Sequence, residues 1–384
     1  MQEVTDKKLC SGCHACYSVC PKRCISMKAD SEGFCYPNID ESKCIDCGMC
    51  KRVCPILNKH IGSRGQAYAC INKDENIRMR SSSGGVFTLI AEYVINCGGV
   101  VFGAAFDDEL NVCHTDIKSS EGLEKLRGSK YLQSKIGDTY KKAKEYLIKG
   151  RTVLFTGTPC QISGLKTYLG KDYDNLITQD LICHGAPSPK VWKKYLEYLS
   201  RIKNKKTDKN YKPEFRDKST GWVRYSMSVF FEPNERYTQR IGDNLYMKAF
   251  LNDLILRPSC YNCHSKSLER ESDITLADFW GIEKLLPEMF DDKGTSLVFI
   301  NSLKGQKIFE SISDKMIYKA ADIDEAVKYN PAAYKSCAMN KKRDKFMSEI
   351  NAENFDKIVK KYTKQNLFKK CLVKFKIIIK RMCK

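Results

Sequence analysis

Two N-terminal runs of cysteine restrict this chain more than any other feature. Cys10, Cys13, Cys16, Cys20 and Pro21 spell C-x2-C-x2-C-x3-C-P, and Cys44, Cys47, Cys50, Cys54 and Pro55 repeat it. This is the spacing of bacterial two-cluster ferredoxins, in which three thiolates on a tight loop grip one face of a cubane and the fourth, set before the proline, crosses to the other cluster. One [4Fe-4S] site is therefore expected from Cys10, Cys13, Cys16 and Cys54, and the other from Cys44, Cys47, Cys50 and Cys20. A zinc ribbon needs only two CxxC pairs. A disulfide scaffold belongs to short secreted domains, not to 384 residues. Such a device moves electrons one at a time.

A length of 384 residues suggests two or three domains, and 42% hydrophobic residues can bury a core. Residues 1–9 are polar, without the apolar stretch of a secretory signal. No run of about eighteen apolar residues predicts a membrane-spanning helix. Abundant free cysteine predicts a reducing compartment, hence the cytoplasm of a cell living at low oxygen. The net charge of +20 invites a nucleic-acid reading. Three clusters at about −2 each would offset about 6 of those charges. The remainder lies in lysine-rich patches such as residues 201–212 and in the C-terminal tail, without the aromatic interleaving of a single-strand binder. Acidic partners, anionic cofactors or an anionic membrane fit better than nucleic acid.

Residues 1–58 read as a two-cluster ferredoxin-like module whose halves flank an insert at 24–43. Cys24 and Cys35 are left over, as small buried hydrophobes. Residues 60–65 read as a linker. Beyond it, strands are expected at 68–71, 100–106, 153–155 and 176–183, and helices at 86–96, 139–148 and 191–200, with a Gly/Ser turn at 81–85. That alternation predicts an α/β sheet with covered faces, so the whole chain reads as α+β followed by α/β. Residues 213–232 look antiparallel, with Trp222, Arg224 and Ser226 alternating against Val223, Tyr225 and Met227. The expected division is 1–58, 66–150, 151–320, and a helical basic tail at 321–384. Near the end, Phe368, Cys371, Leu372, Phe375, Ile378, Ile379 and Met382 share one helical face ringed by lysines. That face either docks on its own domain or lies in a membrane interface, giving peripheral contact with the inner leaflet.

Four further cysteines are scattered. Cys160 follows Phe155-Thr-Gly-Thr-Pro, where Thr158 is a helix N-cap, Pro159 the first helical residue and Gln161 the partner in a capping box. Backbone N–H groups of a first helical turn favour a thiolate. Cys183 ends an apolar strand, and Cys260 and Cys263 form a CxxC pair after Arg257-Pro258. Strand ends converge on one edge of an α/β sheet, where ligands bind. From spacing alone the set fits a third [4Fe-4S] cluster, a zinc site using His184 or His264, or a redox disulfide.

The segments at 155–165, 180–185, 260–263 and 273–281 (the last reading Asp-Ile-Thr-Leu-Ala-Asp-Phe-Trp-Gly) resemble the beta subunit of coenzyme F-420 hydrogenases and dehydrogenases. The segments Arg80-Ser-Ser-Ser-Gly-Gly85 and Gly128-Ser-Lys-Tyr-Leu-Gln-Ser134 resemble that family's flavin-site segments. The similarity spans roughly residues 66–300, and the fused dicluster module resembles stand-alone bacterial members, some of them encoded among polysaccharide-biosynthesis genes. The resemblance implies an FAD-containing iron–sulfur oxidoreductase and favours the third cluster at Cys160, Cys183, Cys260 and Cys263. Ala277 departs from the glycine usual before Asp-Phe-Trp-Gly, and its methyl group crowds a close backbone approach. The Lys/Asn-rich composition points to a bacterium without the deazaflavin coenzyme, which leaves the substrate open.

A flavin couples hydride chemistry to single-electron clusters. The expected path joins a redox partner protein, the N-terminal clusters, the third cluster, FAD and a small-molecule substrate. Ser82, Ser83, Gly84 and Gly85 are the expected pyrophosphate cradle, before a helix N-terminus. Ser129, Lys130, Tyr131, Gln133 and Ser134, with Gly157 and Thr158, complete the expected flavin contacts. Lys130 and Asp278 are the candidate catalytic residues, Trp280 shapes the substrate face, and Arg216 and Lys218 hold an anion. Two readings from other classes stand beside this one: a non-catalytic electron-transfer subunit of a larger redox complex, and an iron–sulfur scaffold.

Overall fold

The computed structural model describes residues 6–204, 211–231, 235–351 and 354–364. The amphipathic face expected at 368–382 lies outside the described residues.

The N-terminal module is a pseudo-symmetric pair of cysteine loops on a hairpin. Strands β1 (Ile25–Ala29) and β2 (Cys35–Ile39) pair antiparallel, Ile25 opposite Ile39. Helices Ala15–Val19 and Met49–Arg52 each follow a residue in the left-handed conformation, His14 (φ 66°) and Gly48 (φ 69°). That reversal lets a loop of two cysteines turn back onto a third carried by the helix, Cys16 or Cys50.

The expected linker is docked rather than free. Its strand β3 (Ser63–Arg64) pairs with β12 (Glu269–Arg270), and Ser63 Oγ donates to Asn301 O. A Cβ on Gly65 would lie 2.2 Å from Ile300 O, so only glycine passes there.

The main body is built on strands β4 (Gln66–Asn72), β5 (Val100–Phe106), β6 (Val112–Ile117), β7 (Val153–Thr156), β8 (Leu176–Leu181), β13 (Ile274–Asp278), β14 (Ser296–Ile300) and β15 (Met316–Ala321). They form one sheet in the order β15-β4-β14-β13-β8-β7-β5-β6. The middle four, β13, β8, β7 and β5, are parallel and the flanking pairs antiparallel. One sheet thus draws strands from both sides of the boundary expected near residue 150. Successive residues of β5 feed opposite cores. Val101 and Ala105 pack with helices Val86–Asn96 and Leu303–Ile312 on one face, while Val100 and Phe102 pack with helices Thr139–Ile148 and Pro159–Leu169 on the other. Parallel strands are covered on both faces because the crossover connections between them lay helices there.

Strands β9 (Lys212–Asp217), β10 (Ser226–Phe231) and β11 (Glu235–Arg240) form a separate antiparallel sheet between β8 and β13 in sequence. They pack with helices Pro189–Lys203 and Phe355–Thr363. Continuous alternation through 222–227 is not what forms: Trp222 to Tyr225 are loop. Asp292 Oδ1 accepts from Trp222 N (3.0 Å) and Val223 N (2.8 Å), and Gly221 turns with φ 97°. A carboxylate distant in sequence takes the backbone donors that a ladder would have used.

Candidate functional site

The two N-terminal sites appear as two cavities. One is lined by Cys10, Cys13, Cys16 and Cys54, the other by Cys20, Cys44, Cys47 and Cys50. The crossing of the fourth cysteine is visible in the electrostatics too: burial, then the charges of Cys10 and Cys54, push Cys16 up to about 12. Iron binding must expel such protons, and four convergent thiols are the donor set a cubane takes. The residues present therefore fit two clusters. Cys24 also lines the second cavity, its Sγ 3.3 Å from that of Cys20, a place beyond the packing role expected of it. Cys47 is exposed, and Lys22 and Lys51 rim this second cavity.

The first cavity faces the main body. Helix Ala15–Val19 packs on helix Pro159–Leu169. At the contact a Cβ on Gly164 would stand 2.9 Å from Cys13 Sγ. Gly164→Val is therefore expected to displace Cys13 and empty that site, lowering the iron of the N-terminal module from about eight to about four per chain. Iron analysis and the electron paramagnetic resonance (EPR) spectrum of the reduced protein check it.

The scattered cysteines meet beyond this contact, where β7 and β8 end. The capping box forms as expected, Thr158 N donating to Gln161 Oε1 at 3.0 Å, and Cys160 sits in the first helical turn. Cys183 lies two residues after β8. The loop that follows it lies on the turn Pro258–Asn262: Ala186 N donates to Cys260 Sγ at 3.3 Å, and Arg257 N donates to Ala186 O at 2.9 Å. Burial first, together with charges on fellow members of the set, Cys263 among them, raises the thiols of Cys160, Cys183 and Cys260 to about 12. His184 is directed elsewhere. Its Nε2 is 2.7 Å from Asp253 Oδ1, and these two groups and Cys337 Sγ lie within 4.8 Å of one another, a neighbouring three-donor group able to take a metal ion.

The expected flavin residues divide into two groups. Ser129 N donates to Ser82 Oγ (2.7 Å) and Arg216 Nη2 to Ser82 O (3.4 Å), which joins the two resembling segments to β9. Arg216 is buried and pairs with Asp278 Oδ1 at 3.0 Å, an atom that also accepts from Trp222 Nε1 at 2.9 Å. The guanidinium lies 3.8 Å over the Tyr225 ring and 5.1 Å from Trp280, which stacks on Trp222. Burial raises the Tyr131 phenol; the charge of Arg216 opposes that shift and the charge of Asp278 adds to it. Arg216 Nε is buried with no hydrogen-bond partner. An orphaned cationic donor among aromatic rings fits a planar group that carries hydrogen-bond acceptors, such as a flavin ring.

In the second group, Ser134 and Gly157 lie against His114, and Gln161 ties Thr158 to Ser134. His114 Nδ1 is 2.7 Å from Ser134 Oγ and its Nε2 2.8 Å from Thr156 O, and burial lowers its pKa to about 4, leaving a neutral ring. Gln133 points to the module, donating to Ser11 O at 3.2 Å.

Three expected contacts are taken up by the fold itself. Gly84 N donates to Ser296 Oγ (2.9 Å), and a Cβ there would lie 2.3 Å from Cys70 O. Lys130 Nζ donates to the carbonyls of Leu126, Arg127 and Gly128, at the end of helix Leu123–Leu126, and burial lowers its pKa to about 7. Lys218 likewise donates to the carbonyls of Arg78, Ser83 and Lys293. Sequence reasoning missed His114 and the role of Arg257, which is fully buried and bonded to the module. The Arg-Pro step before the CxxC pair was the available signal.

Residues 9–57 match the 4Fe-4S dicluster domain. Residues 150–326 match the C terminus of the coenzyme F420 hydrogenase/dehydrogenase beta subunit. The chain carries that beta-subunit region behind a dicluster domain. Three relatives are similar to it. The F420-dependent sulfite reductase of Methanocaldococcus jannaschii is 28% identical over 43% of this chain and 26% of its own length. One subunit of the F(420)H(2) dehydrogenase of Methanosarcina mazei is 24% identical over 41% and 48%. An uncharacterized M. jannaschii protein is 28% identical over 46% and 57%. The chain thus spans between about a quarter and 57% of these relatives' lengths. A chain of the F420-reducing [NiFe] hydrogenase complex of Methanosarcina barkeri aligns with a TM-score of 0.45 and 18% identity, covering 78% of this chain and 92% of that one. Among the described residues no helix is long and apolar enough to cross a membrane.

Proposed function

We propose that this protein is an iron–sulfur flavoprotein oxidoreductase that passes electrons between a redox partner protein and a small organic or deazaflavin-type substrate. The observation that carries the reading is the placement of the scattered cysteines. Cys160 is near enough to Cys13 of the first N-terminal cavity for its charge to act there, and Cys160 and Cys183 follow β7 and β8, parallel neighbours in the sheet of β13, whose last residue Asp278 holds Arg216. The outer cavity, with exposed Cys47 and the ammonium groups of Lys22 and Lys51, suits docking of an acidic partner. Cys160, Cys183, Cys260 and Cys263 would hold the third cluster.

Arg216, Tyr131, Tyr225 and Trp280 would hold the ring of FAD, with Ser82 and Ser129 at its edge. Bound there, FAD supplies the exchange between paired and single electrons. Arg216 stabilises negative charge beside it, Asp278 keeps the guanidinium fixed, and the stacked Trp222 and Trp280 exclude water. Two of the relatives are named for coenzyme F420, which supports a deazaflavin as one substrate class.

A second reading, a non-catalytic iron–sulfur subunit of a larger complex, is favoured by the Gly84 amide and the Lys130 ammonium, both occupied within the fold. Anaerobic purification separates the two. The first expects about twelve irons and about one flavin per chain, with deazaflavin or dye reduction on the same sample. Cluster absorption with no flavin released on denaturation would sink it and leave the second.

A further inference from the structure

The guanidinium of Arg257 is fully buried, yet its acceptors are three neutral oxygens and one sulfur. Nε donates to Cys10 O (2.8 Å), Nη1 to Gln133 Oε1 (3.0 Å), and Nη2 to Cys35 O (3.0 Å) and Cys10 Sγ (3.7 Å). Its flat face lies 4.0 Å from the Tyr36 ring. The first cysteine loop is shaped around it: Gly12 turns with φ +70°, and a Cβ there would stand 2.9 Å from Nη1. A buried cation without a counter-charge costs several kcal/mol per ion. Nothing in that acceptor set supplies one while Cys10 is a thiol; a cluster on Cys10 does.

We propose that Arg257 is the counter-ion of the cluster held by Cys10, Cys13, Cys16 and Cys54, and that its charge raises that cluster's reduction potential. The inference rests on the dicluster reading of the N-terminal module. With four thiolates the oxidised cluster carries about −2 and gains one electron to reach about −3. A fixed positive charge stabilises the more negative state, and burial leaves it unscreened by salt. The same side chain pins the module to the body, because Cys10 and Cys35 belong to one and Gln133 to the other.

Redox titration of the full chain, followed by EPR, tests this on Arg257→Gln and Arg257→Lys. In the glutamine variant, one N-terminal midpoint potential is expected to fall by about 59 mV or more, the equivalent of tenfold in a one-electron equilibrium. The other should hold. The lysine variant, which keeps the charge but loses the fork, should fall less. Unchanged potentials in the glutamine variant at full iron content would overturn the proposal. Should that variant fail to load the site, the lysine variant decides: a midpoint that falls by about 59 mV or more although the charge is kept overturns the proposal, and a smaller fall supports it. An unaltered protein without any cluster signal would remove the dicluster reading and the proposal together, and iron analysis detects that before any potential is measured.

Discussion

Cys260→Ser is expected to lower the iron content from about twelve to about eight per chain while the EPR signals of the N-terminal clusters persist. Cys260 is held from two sides. It accepts from Ala186 N and sits three residues after Arg257, so its sulfur is held in place before any metal arrives. Serine keeps the shape but is a far poorer iron ligand, so the cluster loses one of its four anchoring thiolates and is expected to be lost. Electron delivery from the N-terminal clusters to a bound acceptor should then fall sharply, because the third cluster is the expected link between them. The same variant separates the other two assignments. A zinc site would lose zinc at constant iron, and a redox disulfide would change neither metal. Cys97→Ser is the control, since Cys97 is exposed and apart from both cavities; its iron should stay at the unaltered level.

How legible these sites were depends on the range of the interactions that make them. The crossed N-terminal ligands were legible because each run carries its own loop geometry, needing only a left-handed residue and a short helix. The helix Val86–Asn96, strand β5 and the capping box at Thr158 were equally local, fixed by period, glycine and cap. What stayed hidden was pairing across distance. Nothing near Trp222 announces that Asp292 will take its backbone donors, so a strand was expected where a loop forms. Nothing near Arg257 announces that its acceptors lie at Cys10 and Cys35. Lys130 and Gly84 misled in the opposite sense: a lysine and a glycine in turns look available for a ligand, while the fold spends them on carbonyl caps and a close crossing over β4.

Arg216→Met is expected to cost about 3–5 kcal/mol of stability in denaturant unfolding, because it leaves the carboxylate of Asp278 largely buried with the indole of Trp222 as its remaining side-chain donor. Asp278→Asn should cost a similar amount for the converse reason, an unpaired buried guanidinium. Replacing both partners with apolar residues removes both charges at once, so the double variant Arg216→Met, Asp278→Leu should recover much of the lost stability. Flavin retention should behave otherwise. If the orphaned Arg216 Nε donor holds a flavin, both variants lacking Arg216 release it on gel filtration, and the restabilised double variant releases it no less than the single one. Asp278→Asn, which keeps the guanidinium but loosens it, should retain flavin at reduced affinity. Recovery of flavin in the double variant would mean that the pair serves the fold alone, and the ring would then have to bind elsewhere, His114 and Ser134 marking the remaining expected group.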